Sequence, residues 1–149
     1  MNCTYCKESA DTLDHVIPHT YVAKNSKQPR TYSKAEVVPC CRECNNLLGP
    51  DLYFTIAERA DYLYTTYKKR YKKLLSIPQW DKDDIGELNN KLKKYVKASL
   101  KEKKRVQTRI DYCQLVRDTA PSLQDIWEEI EENEENKTLV AQLDRATDF

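Results

Sequence analysis

From residue 53 onwards, the hydrophobic residues of this chain follow a helical period. Apolar residues recur at three- and four-residue intervals from Ile56 to Leu74 and again from Ile85 to Cys113, which predicts two amphipathic helices. Ser76-Ile77-Pro78 predicts the break between them, because a proline disfavours helical geometry in the residue before it. This half of the chain is therefore predicted to be mainly α-helical.

The second helical stripe is less regular than the first. It skips a turn between Ser99 and Val106, which leaves two predictions open: one helix of about 34 residues, or two helices with a break near Lys103. Asp81 to Asp84 can cap its beginning. The stripe comprises Ile85, Leu88, Leu92, Tyr95, Ser99, Val106, Ile110 and Cys113, all apolar except the small Ser99.

A third, shorter helix is predicted after Pro121. Ser122 is its expected N-cap and Asp125 the reciprocal partner, the pattern of a capping box. Its apolar face is formed by Leu123, Ile126, Trp127 and Ile130.

The first fifty residues have a different texture. Residues 11–18 and 35–39 are short segments rich in β-branched residues that end near a proline, and they predict two short strands. Residues 42–48 predict a short helix that ends at Gly49-Pro50. The fold class predicted for the whole chain is α+β: a small strand-containing module followed by a mainly α-helical extension.

The composition of the chain bears on the cellular compartment and on the use of its cysteines. The chain has 149 residues, of which 33% are charged and only two are glycine. It contains no apolar run near the roughly 20 residues needed to span a bilayer, and it begins with no secretory pattern. We therefore expect an intracellular, cytoplasmic protein without a membrane partner. Six cysteines in a reducing compartment favour metal binding over disulfides.

Charge is strongly segregated although the net charge is only +1. Residues 66–117 carry 16 Lys/Arg against 6 Asp/Glu, whereas residues 118–149 carry 2 against 10. On the second helix, four lysines form one stripe that could follow the phosphates of DNA, although a solvated helix face explains such a stripe equally well. These lysines are Lys93, Lys97, Lys101 and Lys104.

Two Cys-x-x-Cys pairs are the most specific feature of the first fifty residues. Cys3 and Cys6 form one pair, and Cys41 and Cys44 the other. Four thiolates at this spacing suit a tetrahedral structural Zn²⁺, which would supply much of the folding energy of so small and polar a segment. Cys40 also has a usable ligand spacing to Cys44, but Cys41 repeats the spacing of the first pair.

Candidate chemistry lies between the two pairs. Asp14 offers carboxylate oxygens to Mg²⁺ or Mn²⁺, and His15 has the ordinary pKa of a general base near neutral pH. Asn45, directly after the last cysteine of the pairs, offers an amide oxygen as a second ligand to the same cation. Of the remaining candidates, Cys113 at a helical core position is expected to be structural, and His19 is expected to be a polar loop residue.

Together these motifs resemble the HNH endonucleases. The resemblance covers about residues 1–49 and rests on both Cys pairs, Leu13-Asp14-His15-Val16-Ile17-Pro18 and Val37-Val38-Pro39. It implies a ββα-metal motif in which His15 is the general base, and Asp14 and Asn45 hold the catalytic cation. It also implies DNA as substrate, and it makes a phage or mobile-element setting plausible.

One position departs from the family pattern. Glu36 stands where the family usually has an asparagine that helps to orient the base. An ionised glutamate can accept a hydrogen bond but cannot donate one, so Glu36 can serve His15 only as an orienting acceptor. Leu48 likewise replaces a common lysine.

The resulting hypothesis has three parts. Residues 1–50 form an HNH nuclease domain with a four-cysteine zinc site, residues 51–117 a basic helical hairpin, and residues 118–149 an acidic helix and tail. The leading function is a metal-dependent DNA endonuclease; the alternative is a catalytically degenerate zinc-binding module that interacts with DNA or protein. The helical extension could also bind a protein partner or mediate self-association. Because so little apolar surface is predicted in the module, loss of zinc is expected to unfold it while the helices survive.

Overall fold

The computed structural model describes residues 1–16, 37–50 and 53–132 of the chain. Within these ranges it contains a two-stranded antiparallel sheet and six helices, which confirms the predicted α+β class. Glu36, His19 and part of each predicted strand lie outside the described residues. None of the described helices is long and apolar enough to cross a membrane.

The sheet is a hairpin of two short strands followed by a helix. Strand β1 spans Thr12–His15 and β2 spans Val37–Cys40, with Asp14 opposite Val38 and His15 opposite Val37. Helix α1, Arg42–Leu48, follows at once and ends at Gly49, whose positive φ of 52° suits a glycine. The order β1–β2–α1 is the one that the sequence predicted for the first fifty residues.

Five further helices make up the rest of the described chain. They are α2 (Ile56–Arg70), α3 (Lys72–Leu75), α4 (Lys82–Gly86), α5 (Asn90–Thr119) and α6 (Leu123–Glu132). Helices α2 and α5 form the principal helix–helix contact. The predicted break at Ser76-Ile77-Pro78 is present between α3 and α4.

Helix α5 is continuous through Lys103. Lys103 extends from mid-helix and donates from Nζ to the carbonyl of Ile77 at 2.5 Å, which ties α5 to the segment after α3. The stripe before this point is not core, however. Leu92 and Tyr95 are 47% and 70% exposed, whereas the buried residues of α5 all lie between Val106 and Val116. The apolar stripe predicted from sequence is therefore buried only in its second half.

Helix α6 begins as predicted. Ser122 Oγ accepts from the amide of Asp125, and Asp125 Oδ2 accepts from the amide of Ser122, both at 3.0 Å. Trp127 on this helix is buried, and its indole Nε1 donates to the carbonyl of Val37 at 2.9 Å. The helix is thus held against β2.

One continuous core joins the hairpin to the helices. It contains the buried cysteines of the module, Val16 directly after β1, Val38 of β2, and apolar residues of α2 and α5 such as Leu63 and Ile110. The module and the helical extension therefore share a hydrophobic core over the described residues.

Candidate metal centre and the neighbouring Asp-His strand

The four predicted cysteines converge. The sulfur atoms of Cys3, Cys6, Cys41 and Cys44 all lie within 4.8 Å of one another, and none of the four residues is more than 7% exposed. Four soft sulfur donors in a closed cluster could hold a metal ion, and the donor set is compatible with structural zinc. The pattern Cys-x-x-Cys identified this cluster correctly from sequence.

The two Cys-x-x-Cys pairs lie in different backbone structures. After Cys3 the chain turns tightly: the amide of Lys7 donates to the carbonyl of Cys3 at 3.0 Å, and Lys7 adopts a φ of 69°. Cys41 is the N-cap of α1, and its sulfur accepts from the amide of Cys44 at 3.4 Å. Both turns direct two side chains to one point, which is what a tetrahedral site requires.

Cys40 and Cys113 remain outside the cluster, as expected. Cys40 Sγ donates instead to the carbonyl of Cys41 at 3.3 Å. Cys113 on α5 is fully buried in the shared core. Of Cys40 and Cys41, it is Cys41 that belongs to the group of four converging sulfurs.

A second layer of polar side chains surrounds the sulfurs. Arg109 on α5 donates from Nη2 to Cys41 Sγ at 3.7 Å and to the hydroxyl of Tyr67 at 2.9 Å, and that hydroxyl lies 2.9 Å from Cys44 Sγ. A divalent ion with four thiolates carries a formal charge of about −2, so a buried guanidinium beside it is favourable. The long helices therefore contribute directly to the metal centre.

Glu43 completes this layer. Its carboxylate accepts from Arg109 Nη1 at 2.8 Å and from the hydroxyl of Tyr71. Partial burial raises the pKa of Glu43, but the hydrogen bonds from Tyr71 and Arg109 lower it by more, so the pKa is lowered overall. Glu43 therefore stays ionised and holds Arg109 in place.

Asp14 has a different environment from the one its predicted role requires. It is 2% exposed, and its two carboxylate oxygens accept from Arg59 on α2: Nη2 to Oδ1 at 2.6 Å and Nε to Oδ2 at 2.8 Å. The hydroxyl of Tyr5 donates to Oδ2 at 2.5 Å. This is a buried bidentate ion pair with an additional hydrogen bond.

In this arrangement Asp14 does not fit a catalytic cation. Arg59 is fully buried and already supplies a positive charge at hydrogen-bonding distance, so a divalent cation at the same oxygens would be repelled. Among the described residues, no hydrogen bond joins Asp14 to Asn45. The described residues therefore do not support a catalytic cation held by Asp14 and Asn45. That cation site stays a prediction from sequence.

His15 and Asn45 lie on either side of the same strand segment. His15 is partly buried, and the alternation of a strand places its side chain on the face opposite Asp14. Asn45 on α1 donates from Nδ2 to the carbonyl of Leu13 and to Thr12 Oγ1, both at 3.3 Å. Asn45 thus fixes α1 against β1.

The predicted lysine stripe divides into two parts. Lys101 and Lys104 line a cleft of about 460 Å³ between α5 and the turn that follows Cys3. Lys93 and Lys97 lie nearer the beginning of the helix and do not line it. Glu36, the predicted orienting residue, lies outside the described residues.

Four important residues were not singled out from sequence as parts of the site. Tyr5 and Arg59 hold Asp14, and Tyr67 and Arg109 surround the sulfurs. For Arg59 and Arg109, the sequence offered one indication of a buried role. Each arginine lies three residues after an apolar stripe residue, Ile56 or Val106, where an apolar residue is expected. Their partners lie 45 and 68 residues away along the chain, and no local pattern reveals such contacts.

Comparisons of the chain with protein-family models, with curated proteins and with solved structures found no match. The resemblance to the HNH endonucleases therefore stays a prediction.

Proposed function

We propose that the protein acts on DNA through a zinc-organised ββα module, and that it cuts phosphodiester bonds in the manner of an HNH endonuclease. The observation that carries the proposal is the arrangement β1–β2–α1 behind four clustered cysteines. It brings Asn45 against the strand that bears Asp14 and His15. The zinc would fix this arrangement without touching the substrate.

His15 is the proposed general base. An imidazole with an ordinary pKa near neutrality can take a proton from water as the water attacks phosphorus. Hydrolysis also needs a cation or cationic group to neutralise charge on the leaving oxygen. In the proposed reaction no cation is bound at the carboxylate of Asp14, because that carboxylate is paired with Arg59.

The charge of the helices supports DNA as the target. Residues 66–117, which span parts of α2 to α5, carry an excess of ten positive charges. Most of the lysines in this range are exposed. A surface of this kind attracts phosphates regardless of sequence.

A second candidate is the same module without cleavage, a zinc-binding DNA-interaction module. The specific observation in its favour is the burial of Asp14 against Arg59 and Tyr5. In this candidate Asp14 joins β1 to α2, and the cationic partner that a nuclease would bind there is replaced by a guanidinium. Both candidates require zinc and DNA binding; they differ only in hydrolysis.

Incubation of supercoiled plasmid with the zinc-loaded protein separates the two. If the first candidate is correct, the wild type cuts with Mg²⁺ or Mn²⁺ and His15→Ala loses about 10²-fold or more of the rate, because a positioned base contributes that much. DNA binding without cutting under every divalent cation supports the second candidate. Equal cutting by wild type and His15→Ala would refute the role of His15.

A further inference from the structure

The cleft between the cysteine turn and α5 is lined by an unusual excess of cationic side chains. Lys7 and Glu8 come from the turn, and Lys101, Lys104, Arg105 and Arg109 from α5. Five of these six residues are cationic. The cleft is open to solvent and, at about 460 Å³, has room for a phosphodiester group.

Not all of these cations are available to a ligand. Arg105 is engaged by Glu8 at 2.9 Å and by Glu102 at 2.5 Å. The ammonium of Lys7 lies 5.8 Å from the ring centroid of Tyr112. Among the described residues, Lys101 and Lys104 have no acidic partner, and both line this cleft as well as the neighbouring one along α5.

Arg109 provides the second, independent observation. It is only 5% exposed, and two of its nitrogens are engaged by Glu43, Tyr67 and Cys41. Its Nε–H, also buried, has no acceptor among the described residues. A buried donor without an acceptor costs about 1–3 kcal/mol, so an acceptor supplied by a ligand would be favourable. Because this nitrogen is shielded from solvent, a ligand oxygen reaches it only if the side chains that cover it move.

Only an anion suits these groups. The ammonium groups of Lys101 and Lys104 and the Nε–H of Arg109 are donors and carry positive charge. The thiolates of the cluster oppose an anion, and the guanidinium of Arg109, 3.7 Å from Cys41 Sγ, offsets part of their charge. We propose that this cleft binds a phosphate group of the nucleic-acid backbone, held by Lys101, Lys104 and Arg109; this rests on DNA being the target of the protein.

The lysines of α5 provide a matched test. Lys101→Glu/Lys104→Glu reverses two charges that line the cleft, and Lys93→Glu/Lys97→Glu reverses two on the same helix outside it. We expect the cleft variant to weaken the binding of a fluorescein-labelled duplex more than the control. Its salt dependence, as the slope of log affinity against log salt, should fall by about two, because each of the two lysines no longer neutralises a phosphate. Zinc content and circular dichroism verify that both variants fold, and Lys101→Gln/Lys104→Gln is a milder substitute.

Titration with inorganic phosphate separates this proposal from the proposed function. Duplex binding that is weakened equally by both variants overturns the cleft and leaves DNA as the target. Binding of free phosphate but not of DNA by the wild type, abolished in the cleft variant, supports the anion site and overturns DNA as its ligand. Binding of neither overturns both proposals.

Discussion

At the scale of single residues, the contact between Asp14 and Arg59 separates the two candidate functions. The pair is buried on both sides, and Arg59 also donates from Nη1 to the carbonyls of Tyr53 and Val16. Buried ion pairs are costly to break one partner at a time, because the remaining charge is left in a medium of low dielectric.

We predict that Asp14→Leu and Arg59→Met each cost about 3–5 kcal/mol in the free energy of unfolding. The double variant should lose less than the sum of the two, because it leaves no buried charge. The double variant should still be less stable than the wild type, because the carbonyls of Tyr53 and Val16 lose the hydrogen-bond donor that Arg59 supplies. Urea unfolding of the four proteins measures this, and strictly additive losses would refute the coupling.

The sequence predicted the cysteine cluster of the module, but not the contacts that hold Asp14. The Cys-x-x-Cys spacing predicts the metal cluster because two thiols three residues apart meet at one turn. The buried ion pair of Asp14 could not be predicted in this way. Its partner Arg59 lies on α2 and comes close only when that helix packs against the hairpin. The same holds for Arg109 and Cys41.

At the scale of elements, α5 links the metal centre to the helices through Arg109. Replacing such an outer-layer partner typically costs about 10–100-fold in metal affinity. We predict a loss of this size for Arg109→Met in competition with a chelator, whereas Arg105→Met, on the same helix but bonded to Glu8 and Glu102, should bind zinc almost as wild type. Equal affinities of the two variants would exclude a role for Arg109.

The two halves of α5 should differ in their contribution to stability. Ile110 is 2% exposed and Leu92 is 47% exposed, although both belong to the same predicted stripe. We predict that Ile110→Ala costs about 2–5 kcal/mol and Leu92→Ala under about 0.5 kcal/mol. Comparable losses in urea unfolding would show that the beginning of the helix is packed in solution.

This difference also shows what periodicity can predict. The helical recurrence of apolar residues located α5 and its buried face correctly from Val106 onwards. It could not show which part of the helix other elements cover, and Leu92 and Tyr95 lie in an exposed part. The capping box at Ser122 was predictable because all its atoms lie within four consecutive residues.

At the scale of the whole molecule, the shared core changes the expected effect of zinc loss. The sequence favoured a separate module that unfolds while the helices survive. In the structure, however, the cysteines lie in one core with Leu63, Ile110 and Val116. A chain with a single core tends to unfold cooperatively.

We therefore predict one transition when zinc is removed. Helical circular dichroism and the fluorescence of Trp127, which contacts β2, should change together as a chelator is added; Trp80→Phe makes the emission specific to Trp127. Loss of the Trp127 signal with helicity unchanged would show instead that the module unfolds alone.

The claim that the protein acts on DNA is tested most directly by the affinity of the zinc-loaded full chain for a labelled duplex over a series of salt concentrations. We predict binding at low salt to duplexes of unrelated sequence, with log affinity falling linearly as log salt rises, because lysines displace the counterions of phosphates. Absence of binding at low salt, or an affinity that does not change with salt, would contradict the claim.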